Sequence, residues 1–80
     1  MKTIHLQYYA RLREDRGVNQ ETISTAARTA RELYDELQKK YQFHLKSESL
    51  KVAINNEFKD WDSEINSGDT VVFIPPVAGG

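Results

Sequence analysis

From Met1 to Tyr9 the chain alternates: Ile4, Leu6 and Tyr8 fall on one side of an extended backbone, and Thr3, His5, Gln7 and Tyr9 on the other. A period of two predicts a half-buried strand. Ala10 to Arg16, the run ARLREDR, suits a short helix closed by Gly17, which can adopt the left-handed conformation of a helix cap. Glu21 to Thr25 returns to strand character through the β-branched Thr22 and Ile23. Thr29-Ala30-Arg31-Glu32 then has capping-box spacing, in which a hydroxyl and a carboxylate each satisfy an orphan N–H of a first helical turn. Behind it Ala30, Leu33, Tyr34, Leu37 and Tyr41 recur at helical spacing, while Arg31, Asp35, Glu36, Lys39 and Lys40 cover much of the remaining surface. A helix with one apolar stripe must lie on something.

The second half of the chain is read from its turns. Val52 to Phe58 (VAINNEF) is a strand entering a tight turn, because asparagine tolerates positive φ at Asn55 and Asn56. Asn66-Ser67-Gly68-Asp69 is another turn, and it launches Thr70-Val71-Val72-Phe73-Ile74, the most strand-like run of all. Pro75 and Pro76 end that strand, since neither can donate to a ladder. The order strand, short helix, strand, long helix, then two or three strands predicts an α+β fold. A mixed four- to five-stranded sheet packed on one long helix, a β-grasp, accounts for it. Strand parity points Tyr8 and Phe73 inward and Tyr9 and Ile74 outward.

Composition narrows the picture. Eighty residues with 39% hydrophobic and 29% charged positions make one small domain with a modest core and little room for an enclosed catalytic cavity. The net charge of −1, with both signs interspersed, provides no basic stripe for nucleic acid. No apolar run approaches the roughly 20 residues needed to span a bilayer, and no charged-then-apolar leader opens the chain, so a cytoplasmic location is expected. Cysteine is absent, which excludes a thiolate metal site or a cysteine nucleophile in this chain. His5 and His44 have no partners at ligand spacing, and the acidic run Asp60-Trp61-Asp62-Ser63-Glu64 lacks a calcium-loop pattern, so no metal site is expected.

The most informative residues are the last six, Pro75-Pro76-Val77-Ala78-Gly79-Gly80. Two prolines directly after a strand hold the base of a tail extended and limit the entropy lost when it docks. Gly79 and Gly80 have no side chains and can pass through a narrow channel. Residues 77–80 reach at most about 13–14 Å beyond a folded body, enough to deliver a terminal carboxylate into a buried pocket. The expected division is a β-grasp body at 1–76 and a flexible diglycine tail at 77–80.

A β-grasp with a projecting diglycine resembles the ubiquitin-like proteins. Within them, Tyr8-Tyr9-Ala10-Arg11-Leu12-Arg13-Glu14 is similar to the aromatic-aromatic-Ala-x-x-Arg-Glu segment of the molybdopterin synthase small subunits. Ile54 to Phe58, the Gly68-Asp69 turn and Phe73-Ile74-Pro75-Pro76-Val77-Ala78-Gly79-Gly80 match the same family, so the resemblance covers essentially the whole chain. Tyr9 and Ile74 depart mildly from it, standing where phenylalanine is common. The sulfur carrier of thiamine synthesis shares the fold and the diglycine, but it is shorter and lacks the ARLRE segment.

The resemblance implies a chemistry. A ubiquitin-activating-type adenylyltransferase would join AMP to the Gly80 carboxylate using ATP and magnesium, and a sulfur donor would displace AMP to leave a thiocarboxylate. The loaded tail, Val77, Ala78, Gly79 and Gly80, would enter the large subunit of a heterotetramer of two small and two large subunits. There its sulfur would pass to cyclic pyranopterin monophosphate during molybdenum cofactor biosynthesis. The chain itself would bind no cofactor: its only internal glycines are Gly17 and Gly68, so it has no phosphate loop. It would act as a carrier subunit of a transferase, with Gly80 as its reactive group. Docking would use the sheet face away from the helix through Phe58, Ile74 and Tyr9, with Pro75 and Pro76 beside them. Two alternatives share the fold: a carrier for another pathway, of the thiamine type, and a protein modifier joined to lysine through Gly80.

Overall fold

The computed structural model describes residues 1–75. Its elements are β1 (Lys2–Tyr8), α1 (Ala10–Arg16), β2 (Gln20–Thr25), α2 (Ala30–Tyr41), a 3₁₀ turn at Ser47–Ser49, β3 (Lys51–Ile54), β4 (Glu57–Lys59) and β5 (Thr70–Ile74). The strands form one five-stranded sheet in the order β2-β1-β5-β3-β4. The central pair β1/β5 is parallel and every other pair is antiparallel. This is the mixed sheet of the β-grasp, at the upper end of the expected strand count and with the short α1 beside the long α2.

The alternation of β1 is realised in full: Ile4, Leu6 and Tyr8 are buried while Thr3 and His5 are exposed. In register, Tyr8 lies beside Phe73 and Leu6 beside Val71, so both central strands send their apolar side chains to one face. On that face Ala30, Leu33, Tyr34 and Leu37 of α2 are buried. Tyr34 meets the Phe73 ring edge-on at 5.0 Å, and Trp61 stacks on Phe73 at 5.8 Å and 8°, which anchors the loop between β4 and β5. Tyr41, expected on the same stripe, is half-buried at the helix end, where the Arg16 guanidinium covers its ring from 4.1 Å.

The caps follow the sequence with one difference. Thr29 accepts a hydrogen bond from the Glu32 N–H at 3.2 Å, while Glu32 accepts from the N–H of Arg28, one residue earlier than an ideal capping box requires. Gly17 closes α1 at φ 85° and donates its N–H to the Arg13 carbonyl. Asn55 and Asn56 both have positive φ, 54° and 72°, as a two-residue hairpin between twisted strands demands. Phe58, read from sequence as a turn residue, instead stands in the middle of β4 opposite Ala53.

Candidate docking site

The outer face of the sheet, away from α2, divides into two halves. Across its middle runs a row set by register: Gln7 beside Val72, Val72 beside Ala53, Ala53 beside Phe58. A second row pairs Ile74 with Lys51. Toward β2 the outward positions are polar: His5 lies opposite Thr22 and beside Thr70, with its Nδ1 3.0 Å from the Thr22 hydroxyl. Toward β4 and the end of β5 they are apolar. Phe58 is 69% exposed and Tyr9 50% exposed, while Ile74 and Pro75 are half-buried.

Phe58, Ile74 and Tyr9 therefore share one surface, around a shallow depression of about 240 Å³ floored by Ala53 and Val72. Pro75 lies in an adjoining groove of about 400 Å³ that also contains Phe58 and Ile74. Pro76, Val77, Ala78, Gly79 and Gly80 lie outside the described residues. The surface is built where β5 ends, at the base of those residues.

Sequence reading did not single out Ala53, Val72 or Lys51. Ala53 and Val72 are 8% and 7% exposed although they point away from the main core. A signal was present. Val71-Val72-Phe73-Ile74 shows no polar alternation, the pattern of a strand covered on both faces.

The position of Tyr9 is dictated by its neighbour. Tyr8 is locked inward by its hydroxyl, which donates to Glu21 at 2.6 Å; Arg16 grips the same carboxylate through two 2.9 Å bonds, and the Tyr41 hydroxyl approaches at 3.5 Å. Burial drives the Tyr8 phenol pKa far upward, reinforced by the Glu21 carboxylate, so Tyr8 remains a neutral donor. With Tyr8 fixed, the next residue of an extended chain must face out. Ala10 then turns the chain into α1 at φ 50°, a conformation costing a non-glycine residue about 1 kcal/mol or more.

Other candidates fall elsewhere. His44 has a carboxylate neighbour that sequence spacing did not show: Asp15 lies 3.5 Å away, brought there by α1 packing beside the loop after α2. Among the described residues no three metal-binding side chains converge, and no helix is long and apolar enough to cross a membrane. Asp62 pairs with Arg31 at 3.2 Å across exposed surface.

The five-stranded β-grasp is a ubiquitin-like fold, and here it presents an apolar outer patch at the end of its last strand. The ThiS family profile matches residues 6–80, and the chain belongs to the ThiS family. A Pyrococcus furiosus protein assigned as molybdopterin converting factor subunit 1 is 26% identical with a TM-score of 0.80, covering 96% of this chain and 100% of that one. The small archaeal modifier SAMP1 of Haloferax volcanii shares the fold at 20% identity and TM-score 0.77, over 98% and 99% of the two chains. Subunit 1 in the Helicobacter pylori complex of subunits 1 and 2 of molybdopterin-converting factor does so at 23% and 0.68, over 98% and 99%. No curated protein matches the chain.

Proposed function

We propose that this chain is the sulfur-carrying small subunit of a molybdopterin synthase. One observation carries the reading: the apolar cluster of Phe58, Ile74 and Tyr9 on the outer sheet face lies at the end of β5, shortly before Pro76-Val77-Ala78-Gly79-Gly80 in the sequence. A protein whose chemistry resides in its terminal carboxylate needs a grip beside that terminus, because a short tail by itself supplies little binding energy. The Pyrococcus protein, and the pairing of subunits 1 and 2 in the Helicobacter complex, support a large subunit as the partner.

A free carboxylate is a poor electrophile. In the proposed cycle an adenylyltransferase holding ATP and magnesium converts the Gly80 carboxylate to an acyl-adenylate with release of pyrophosphate. A sulfur donor attacks the acyl carbon, AMP leaves, and Gly80 becomes a thiocarboxylate. The tail then enters the large subunit, its sulfur attacks cyclic pyranopterin monophosphate, and water cleaves the acyl carbon–sulfur bond, leaving sulfur on the pterin and an ordinary carboxylate on the carrier. Every step is catalysed by a partner, and this chain contributes the docking face and the reacting terminus.

Intact mass after incubation with the adenylyltransferase, ATP and a sulfur source tests the chemistry. The expected gain equals one oxygen replaced by sulfur, and deleting Gly80 or extending the chain beyond it abolishes that gain. Molybdopterin formation by an untrimmed extended chain would refute the reading. The fold shared with SAMP1 favours a second reading, a protein modifier joined to lysine. Under it, the same incubation with cell protein and no sulfur source would yield conjugates lost on deletion of Gly80.

A further inference from the structure

Lys51 is a charged residue on an apolar surface. It opens β3 opposite Ile74, and its ammonium lies 5.8 Å from the centre of the Phe58 ring. It lines the groove that Leu50, Phe58, Ile74 and Pro75 make apolar. Among the described residues it forms no ion pair. Lys59, the next cation along this edge, is held by Glu57 at 3.1 Å, and Glu48 on the groove's other rim accepts the Ser47 hydroxyl at 3.1 Å. The groove and the docking depression share Phe58 and Ile74 as walls. A partner that covers Phe58 must therefore also cover Lys51.

That has an electrostatic consequence. Removing water from an unpaired ammonium is costly, and attraction to the face of one phenyl ring offsets only part of the cost. A purely apolar partner surface would bind Phe58 and be penalised at Lys51. A surface placing a carboxylate beside its apolar contact would gain a charge-assisted pair in a partly desolvated site.

We infer that Lys51 is a specificity-determining residue of the docking face, selecting a partner that presents an Asp or Glu carboxylate next to the apolar surface covering Phe58 and Ile74. The inference rests on the proposed role of this face in binding the large subunit. Its function is discrimination: among partners that accept a β-grasp carrier with a diglycine end, those without the carboxylate are disfavoured.

The test is a titration of the large subunit encoded by the same organism against wild type, Lys51→Met, Lys51→Arg, Lys51→Glu and the rim control Glu48→Gln, each at low and high salt. Lys51→Met keeps the stem's apolar contact and removes only the charge. It should weaken binding roughly five- to tenfold at low salt and flatten the salt dependence. Lys51→Arg and Glu48→Gln should bind within about twofold of wild type, and Lys51→Glu should lose more than Lys51→Met. Because Lys51 and Glu48 are both exposed, all four should melt with wild type. Wild-type affinity and salt dependence in Lys51→Met would overturn the inference alone. Failure of the wild type to bind would overturn the large-subunit reading and this inference with it.

Discussion

Gln42 ends α2 with φ 57°, a conformation in which a side chain crowds the backbone and glycine does not. Gln42 is exposed. Gln42→Gly should therefore stabilise the protein by up to about 1 kcal/mol, and a urea midpoint at or below wild type would contradict this. Glu21 offers a sharper test. Burial pushes its carboxyl pKa up, but hydrogen bonds from Arg16, Tyr8 and Tyr41 outweigh that and hold it below its ordinary 4.5. A carboxyl whose folded pKa is depressed contributes stability that is complete above the ordinary value and lost as pH falls through the folded one. The melting temperature should drop on acidification below about pH 4.5, and Glu21→Gln should flatten that drop while costing stability at neutral pH. An unchanged acid slope in thermal melts of Glu21→Gln would show that the network does not govern acid stability. None of these contacts was legible in the sequence, since Tyr8, Arg16, Glu21 and Tyr41 belong to four different elements and only the fold brings them together.

Elements were legible where one residue after another meets the same boundary between water and core. β1 and α2 have long, regular periods, and each was read with its buried face correct. Leu37 is 1% exposed on that helix face, so Leu37→Ala should cost about 2–5 kcal/mol in chemical denaturation. A loss below about 0.5 kcal/mol would mean that the helix is packed differently. β4 was not separable from the turn before it. It has three residues, all exposed, and becomes a strand only because β3 lies alongside. The proposed docking face was half legible for the same reason. Parity located Tyr9 and Ile74, whereas the floor of Ala53 and Val72 and the placement of Lys51 depend on which strands are neighbours. Local pattern carries no information about strand order.

At the scale of the molecule, the core and the proposed docking surface lie on opposite faces of one sheet, so folding and docking should be separable by mutation. Phe58→Glu replaces an exposed ring and should leave the thermal transition unchanged, and Ile74→Glu, half-buried on the outer face, should keep a cooperative transition. Each should weaken large-subunit binding at least about tenfold, because a charge in a desolvated hot spot costs about 2 kcal/mol or more. Calorimetric titration beside a melt checks both, and unfolding of either variant would assign that residue to the core. The parallel β1/β5 pair has a different consequence, one of timing. β1 and β5 pair at the centre of the sheet although more than sixty residues separate them, so a nascent polypeptide lacks that centre until Thr70–Ile74 has been made. While translation continues, the amphipathic α2 has no complete surface to cover. A chain terminated before Thr70 would thus lack both the centre of its sheet and the β5 part of the outer apolar patch.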